Sequence, residues 1–147
     1  MNLRVSELQE LIDHHYQKFN EISTHAFNAK PLPHKWSKKE ILGHLIDSAQ
    51  NNIQRFIRGQ YEDTPSLVYN QDEWVSLNDY QNTDLHQLIE LWRLLNLRIV
   101  EIWRKMPEEN LKRKCEVKGE IVDIEWHVND YVDHLKHHID QIIDGTK

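Results

Sequence analysis

Cysteine, glycine and proline are scarce in this sequence. The one cysteine, Cys115, has no partner in the chain, so an internal disulfide is excluded and a reducing compartment is expected. Four glycines and four prolines among 147 residues leave little material for the many tight turns of a β-sandwich or barrel. Because Cys115 also lies outside the predicted helices, we interpret it as incidental to function.

Long apolar runs and an excess of positive charge are missing as well. No segment approaches the roughly 18 consecutive apolar residues of a membrane span, and the N-terminal stretch MNLRVSELQE lacks the apolar centre of a signal peptide. The formal net charge is −6, and lysine and arginine form no stripe, whereas nucleic-acid binding generally needs a basic patch. The sequence therefore predicts a soluble, cytoplasmic protein that binds neither membranes nor nucleic acid.

Helical periodicity dominates the chain, whose 147 residues have the length of a single domain, 1–147. Apolar residues recur every three to four positions in four segments, at about 6–25, 37–59, 84–106 and 124–143. The second segment has the clearest start, because Ser37 and Glu40 have the spacing of a capping box directly before an apolar run. Ser6 and Gln9 have the same spacing, and Gly59 is a plausible helix stop.

The two longer connections between these segments carry patterns of their own. Residues 60–83 form a connection of a length that usually indicates a lid, a small subelement or disorder, and Tyr69, Trp74 and Tyr80 favour order. The stretch CEVKGEIVD, residues 115–123, alternates around a Lys-Gly turn signal and predicts a short β-hairpin or an extended loop. The whole pattern predicts an all-α fold, a four-helix up-down bundle with a long loop between helices two and three and a hairpin-like connection before helix four.

Three histidines crowd the last predicted helix, in the stretch DHLKHHIDQI. At about 100° per residue, His138 lies inside the edge of the apolar stripe, His134 lies on its margin and His137 points to the wetter side. His134 and His138 are i,i+4 neighbours with Cβ atoms roughly 5–6 Å apart, so both can bind one ion. His127 lies about 10.5 Å along the axis from His134, too far to share that ion. We interpret His137 as a surface residue, and His127 as either a core-edge residue or one that orients a metal ligand.

A metal centre built on this pair needs a third ligand from another helix. His15 lies at the centre of the apolar stripe of the first helix, and His44 lies at the margin of the stripe in the second. Helical geometry makes His15 the more buried of the two. Either could instead be a core histidine hydrogen-bonded to a neighbour, so periodicity alone leaves the third ligand open.

Three blocks of the sequence resemble the DinB/YfiT-like superfamily of metalloenzymes. The blocks are WSKKEILGHLIDSAQNNIQRF, YNQDEWVSLNDY and DYVDHLKHHIDQI, and their order and spacing match the family pattern over nearly the whole chain. The resemblance implies a four-helix bundle, often dimeric, whose metal ligands are the histidine of the second helix and the i,i+4 pair of the last. In this chain those residues are His44, His134 and His138, so the resemblance favours His44 over His15.

The resemblance also implies a class of chemistry. Members are described as transferases that add low-molecular-weight thiols such as bacillithiol or mycothiol to electrophiles, as isomerases, or as hydrolases. A divalent transition metal such as zinc, nickel, iron or manganese would keep a thiol or a water deprotonated at neutral pH. We therefore expect a homodimeric, metal-dependent transferase or hydrolase that acts on a small molecule. The alternative is a non-catalytic, stress-related bundle protein that binds a metal or a small molecule.

No general acid or base is assigned from the sequence. Related sequences tend to have Tyr-Asp-Glu at the start of the loop, whereas this chain has Tyr-Asn-Gln at 69–71, so no carboxylate is carried over to that place. Asp47 and Asp130 each lie one helical turn from a candidate ligand and are candidates for orienting it, with a solvated helix surface as the alternative. Tyr69 and Trp74 are expected in the wall of the pocket.

Overall fold

The computed structural model describes residues 2–144, and side chains over 4–144. In this range it contains six α-helices and one β-hairpin. The helices are α1 (Asn2–Glu21), α2 (Thr24–Asn28), α3 (Lys38–Tyr61), α4 (Gln71–Asn78), α5 (Leu85–Lys105) and α6 (Ile124–Asp144). The strands are β1 (Lys114–Val117) and β2 (Glu120–Asp123), and short 3-10 turns lie at Tyr80–Asn82 and Glu108–Lys112. None of the described helices combines the length and the apolar character needed to cross a membrane.

Four long helices, α1, α3, α5 and α6, enclose the core. α3 packs against α5 and α6, and α1 packs against the same two helices, so α1 and α3 lie diagonally across the bundle. Large aromatic side chains fill the space between them, and Phe19, Phe56, Trp92 and Trp103 are buried. The rings meet edge to face, as between Phe56 and Trp103, whose centroids are 5.3 Å apart. Burial of each such side chain contributes about 1.5–3 kcal/mol, before the entropy of ordering it is counted.

The long helices run in an up-down-down-up order. The start of α3 meets the end of α6, where Lys38 Nζ donates to the carbonyl oxygen of Ile142, so these two helices are antiparallel. The ends of α3 and α5 meet at Phe56 and Trp103, so these two are parallel. The end of α1 meets the start of α5, so that pair is antiparallel. The predicted four-helix bundle is confirmed, but its helices do not simply alternate up and down. α3 and α5 are parallel, because the long connection carries the chain from the end of α3 back to the start of α5.

The first helix covers different residues from those that the sequence predicts. α1 includes Ser6 and Gln9 in its interior, because its apolar stripe extends upstream to the buried Val5. α1 also ends before position 25, and Ser23 caps the separate helix α2 by accepting a hydrogen bond from the backbone N–H of Ala26 at 3.0 Å. The predicted start at Ser6 and the predicted end at 25 are therefore both wrong.

The start of α3 is the predicted capping box, and its end is not at the predicted stop. The Ser37 hydroxyl accepts from the Glu40 N–H at 3.1 Å, and the Glu40 carboxylate accepts from the Ser37 N–H at 3.0 Å. α3 continues two residues beyond Gly59. A Cβ on Gly59 would lie 2.9 Å from Sγ of the buried Cys115, so this glycine allows the hairpin to approach α3. Cys115 is thus a packing residue, and its burial raises the pKa of its thiol.

The connection between α3 and α5 is an ordered part of the fold. Asn70 caps α4 by accepting from the Glu73 N–H at 3.1 Å. Beyond α4, the ring of Tyr80 lies over Gly43, where an added Cβ would come within 2.0 Å of that ring. The buried Tyr80 hydroxyl donates to Oδ1 of Asp47 at 2.5 Å. These contacts tie the connection to the first turns of α3, in agreement with the order that its aromatic residues favour.

The predicted hairpin is present between α5 and α6. β1 and β2 pair in antiparallel register, and Lys118 and Gly119 turn the chain with φ angles of 52° and 82°. Ser66 forms a parallel bridge with Glu116, so the hairpin is attached to the chain that follows α3. The hairpin and that chain together cover one side of the space between α3 and α6.

Candidate metal centre

Three histidines from two helices meet inside the bundle. His44 lies in the second turn of α3 and is 1% exposed. His134 and His138 lie one turn apart on α6, and both are partly buried. Because α3 and α6 are antiparallel, the early part of α3 packs against the later part of α6. The structure thus brings together the three residues that the family resemblance selects.

The three rings are close enough to share one ion. Nε2 of His44 lies 3.3 Å from Nε2 of His134. The ring centroids are 5.2 Å apart for His44 and His134, 4.8 Å for His44 and His138, and 4.5 Å for His134 and His138. One ring nitrogen from each residue lies within 4.8 Å of the other two. Two nitrogens bound to one tetrahedral zinc ion are about 3.3 Å apart, so this spacing fits a single ion.

Burial holds all three imidazoles in the neutral form. It lowers the pKa of His44 to about 3, and the charges of His138 and His134 act in the same direction. Burial also lowers the pKa of His134 to about 4, again with a contribution from His138. The pKa of His138 is lowered by burial, although its hydrogen bond to Gln141 raises it. Only a neutral imidazole binds a metal, so no proton has to be displaced from this cluster at neutral pH.

Neighbouring side chains hold two of the rings in place. Nδ1 of His138 lies 2.8 Å from Oε1 of Gln141. The amide oxygen can only accept, so Nδ1 carries the proton and Nε2 presents its lone pair. The Trp36 indole packs on the ring of His44, with centroids 5.1 Å apart. Nδ1 of His44 is buried and has no hydrogen-bond partner among the described residues.

The two carboxylates that were candidates for orienting the ligands do not hydrogen-bond to them. Oδ1 of Asp47 accepts from the Tyr80 hydroxyl and, at 3.4 Å, from the side-chain amide of Asn78. Burial raises the pKa of Asp47 to about 6, against the opposing effect of the Tyr80 hydrogen bond. Asp130 lines the neighbouring cavity. Asp47 therefore connects α3 to the segment after α4, and that interaction holds it away from His44.

The other histidines separate by burial. His137 is exposed, as predicted, and His127 is buried at 2% exposure, which agrees with a core-edge position. His15 is only half-buried, and its Nδ1 lies 2.9 Å from the carbonyl oxygen of Leu11. The prediction that His15 is more buried than His44 is therefore wrong. The segments before α3 and after α4 pack around the start of α3 and bury its residues. A helical wheel considers one helix alone, so it cannot show burial by other segments.

A cavity of about 500 Å³ lies beside the histidine cluster, between α3 and α6. His134 lines this cavity, and the hairpin and residues 68–71 contribute to its outer wall. Tyr69 lines the cavity as predicted, whereas Trp74 stands behind Tyr69, with the two ring centroids 5.7 Å apart. Cavities of this size hold small-molecule ligands in other proteins.

Sequence reasoning missed the polar row along the inner face of α3. His44, Ser48, Asn52 and Arg55 follow one another at spacings of four, four and three residues, which keeps them on one side of the helix. Ser48 and Asn52 are buried, and all of the row beyond His44 lines the cavity. A polar row inside an otherwise apolar face was the available signal. It indicates a face that borders a cavity rather than a sealed core.

Known proteins similar to this chain share its sequence pattern. Residues 7–142 match the model of the DinB superfamily. The chain is 29% identical over 116 residues to "Putative metal-dependent hydrolase YfiT" of Bacillus subtilis (strain 168), and 24% identical over 110 residues to "Putative metal-dependent hydrolase OB0413" of Oceanobacillus iheyensis. The two alignments cover 76% and 69% of this chain. They span 65% and 63% of the lengths of these relatives, somewhat less than two thirds.

Solved structures share the fold. The structure of YfiT from Bacillus subtilis, described as "a probable metal-dependent hydrolase with an unusual four-helix bundle topology", superposes with a TM-score of 0.87 at 24% identity, covering 97% of this chain and 83% of that one. The mycothiol-dependent maleylpyruvate isomerase superposes with a TM-score of 0.80 at 12% identity, covering 96% of this chain and 60% of that one. At these identities the likeness concerns the fold alone. The sequence match over residues 7–142 shows that the chain belongs to the DinB superfamily.

Proposed function

We propose that this chain is a metal-dependent enzyme that binds a divalent transition-metal ion through His44, His134 and His138. We further propose that it acts on a small molecule, as a thiol S-transferase or as a hydrolase. The observation that carries this proposal is the cluster of three neutral imidazoles beside a cavity of about 500 Å³. A cavity of that size next to the ligands provides room for an organic substrate, which a purely structural ion would not need.

The residues present fit a metal ion. Their nitrogens have the spacing of ligands on one centre, their burial keeps them neutral, and three protein ligands leave a coordination position open, as in catalytic zinc sites. A divalent ion bound there supplies a Lewis acid that holds a thiol or a water deprotonated at neutral pH. Gln141 and Trp36 keep the ligand rings in position, and Tyr69 and the hairpin form part of the cavity wall. Zinc, nickel, iron and manganese are the candidate ions.

The names of the relatives support this class of reaction. YfiT and OB0413 are named as metal-dependent hydrolases, and a structural neighbour is a mycothiol-dependent isomerase. We therefore propose water and a low-molecular-weight thiol as the two candidate nucleophiles in the reaction of this protein. We also expect a cytoplasmic homodimer.

A non-catalytic metal- or small-molecule-binding protein is the second candidate. One observation favours it: Asp47 is engaged by Tyr80, and no carboxylate of the described residues hydrogen-bonds to the histidine cluster. General acid–base catalysis needs a titratable group within hydrogen-bond reach of the reacting atoms. Glu120 and Asp130 are the carboxylates that line the cavity and could reach a substrate there.

A reaction rate that depends on bound metal distinguishes the proposed enzyme from the non-catalytic binding protein. The untagged protein, loaded in turn with each candidate ion, would be assayed with bacterial thiols and monochlorobimane, and with esters and amides. We expect a rate that chelation removes and that falls at least about 100-fold in His134→Ala. The exposed His137→Ala serves as the matched control and should keep the wild-type rate. Metal binding without a metal-dependent rate on any thiol, ester or amide would instead support the non-catalytic protein.

A further inference from the structure

A partly buried cation, Arg55, lines the cavity and has no carboxylate in an ion pair with it among the described residues. Nε and Nη2 of Arg55 donate to the carbonyl oxygen of Leu67 at 3.1 and 2.8 Å, and Nη1 donates to Oδ1 of Asn52 at 3.2 Å. Among the described residues, no Asp or Glu forms an ion pair with this guanidinium. A guanidinium has five N–H donors, so two remain outside these three hydrogen bonds, and Arg55 lines the cavity. These contacts fix the side chain in place and leave it able to bind an anion.

A second polar group lies in the same wall. His127 is 2% exposed and lines the cavity, and its buried Nε2 has no hydrogen-bond partner among the described residues. An imidazole in this state has hydrogen-bonding capacity left for a ligand that reaches it. Burial lowers the pKa of His127 to about 4, and the positive charge of Arg55 acts in the same direction.

The other charged groups around the cavity are Lys118, Glu120 and Asp130. Lys118 and Glu120 lie on the exposed hairpin, and Asp130 is exposed on α6. Burial lowers the pKa of Arg55, and the attraction of Asp130 opposes that shift only after those of Tyr69 and Cys115. Because water screens exposed acids and neither acid forms an ion pair with the partly buried Arg55, the cavity near Arg55 favours a negative charge.

We propose that Arg55 and His127 form a subsite for the carboxylate of the substrate, so that the substrate class is a small organic acid whose reactive end lies at the histidine cluster. Arg55 supplies a two-pronged contact to the carboxylate oxygens, and the imidazole of His127 in the same wall adds an N–H donor. His134 lines the same cavity, which is large enough for one molecule to reach both places. This subsite rests on the proposed function for its role in a reaction, but its binding of anions does not need the metal.

The test uses malonate as the probe and its neutral analogue malonamide as the control ligand. Binding is measured calorimetrically on metal-free protein, since a carboxylate would also bind a metal ion. We expect malonate to bind and malonamide to bind at least about tenfold more weakly, because a hydrogen bond to a charged group contributes about 1.5–3 kcal/mol. Arg55→Gln should weaken malonate about tenfold or more, and His127→Phe several-fold.

Control variants keep this result interpretable. Arg58→Gln changes an arginine one turn further along α3 that pairs with Glu62, and it should leave malonate affinity unchanged. Arg55→Lys keeps the positive charge but lacks the planar guanidinium that makes two parallel hydrogen bonds, so it should retain only part of the malonate affinity. This variant keeps the test possible if Arg55→Gln does not fold. Equal binding of malonate and malonamide, or wild-type affinity in folded Arg55→Lys and His127→Phe, would overturn the subsite.

Metal content, measured on the same preparations, separates the two proposals. If the protein binds malonate through Arg55 but holds no metal, the proposed metal-dependent function is refuted and the anion subsite is retained. If the protein binds metal through the three histidines but does not bind malonate, only the proposed subsite is refuted.

Discussion

At the scale of single residues, burial gives chemically identical histidines different roles. His137 and His138 are adjacent in the chain, yet the first is exposed and the second belongs to the cluster. His44 is buried more completely than either, and its pKa of about 3 reflects mainly that burial. At neutral pH the cluster can therefore bind a cation without first losing protons.

Removing the titrating group at position 44 should make the metal-free protein less sensitive to acid. The pKa of His44 is about 3 when folded and roughly 6.5 when unfolded. Between these values the unfolded state binds more protons, so the stability associated with this residue is present above pH 6.5 and is lost as the pH falls. From pH 7 to pH 5, the free energy of unfolding should fall by about 2 kcal/mol more in the wild type than in His44→Gln.

Urea unfolding at the two pH values, in the presence of a chelator, measures this difference. His137→Gln is the matched control, because its side chain is exposed, and it should follow the wild type. If the wild type and His44→Gln lose stability in parallel, the buried neutral state assigned to His44 is incorrect.

At the scale of elements, α3 carries residues of the candidate site and also the residues that contact the segment after α4. His44 and the cavity residues lie on its inner face, while Gly43 and Asp47 receive the ring and the hydroxyl of Tyr80. The segment after α4 is therefore fixed to the same two helical turns that present His44. Disturbing this contact should loosen the surroundings of the metal centre without changing a ligand.

Gly43→Ala should destabilise the protein even though alanine is the better helix former. An exposed glycine-to-alanine change within a helix stabilises by up to about 1 kcal/mol. Here the new Cβ would lie 2.0 Å from the Tyr80 ring, and overpacking of this kind costs about 1–3 kcal/mol. Chemical denaturation of the variant should show a net loss of stability in that range.

A double-mutant cycle with Tyr80→Ala identifies the cause. Once the Tyr80 ring has been removed, the added methyl group of Gly43→Ala should cost little or even stabilise the helix. An equal cost in both backgrounds, or a stabilising effect in the wild type, would show that Tyr80 does not pack on Gly43 in solution.

At the scale of the whole molecule, the up-down-down-up order places the ligands. It sets α3 and α6 side by side and antiparallel, so residues ninety positions apart in the chain, His44 and His134, come within 3.3 Å at their Nε2 atoms. The long connection that makes this order possible also contributes Tyr69 to the cavity. The topology, the cavity and the candidate metal centre are therefore consequences of one arrangement of four helices.

Features set by neighbouring residues could be predicted from the sequence. The capping box at Ser37, the turn at Lys118 and Gly119 and the four long helices all follow from spacings within a few positions. The i,i+4 relation of His134 and His138 has the same local origin.

Features that depend on packing by residues distant in the sequence could not be predicted in this way. The choice between His15 and His44 depends on what packs over each helix, and only the fold shows that the chain around α3 buries His44. The order of the helices depends on a long connection whose path has no local signature. Arg55 was visible only as one member of a polar row, because its partner is the backbone carbonyl of Leu67.

The metal content of the untagged protein tests the central claim most directly. After equilibration with one candidate ion and removal of excess by a competing chelator, elemental analysis should give about one ion per chain for the wild type and for His137→Ala. His44→Ala, His134→Ala and His138→Ala should each retain less than about a tenth of that amount, because a centre reduced to two imidazoles binds far more weakly. Full metal content in any of these three folded variants would contradict the assignment of the three-histidine centre.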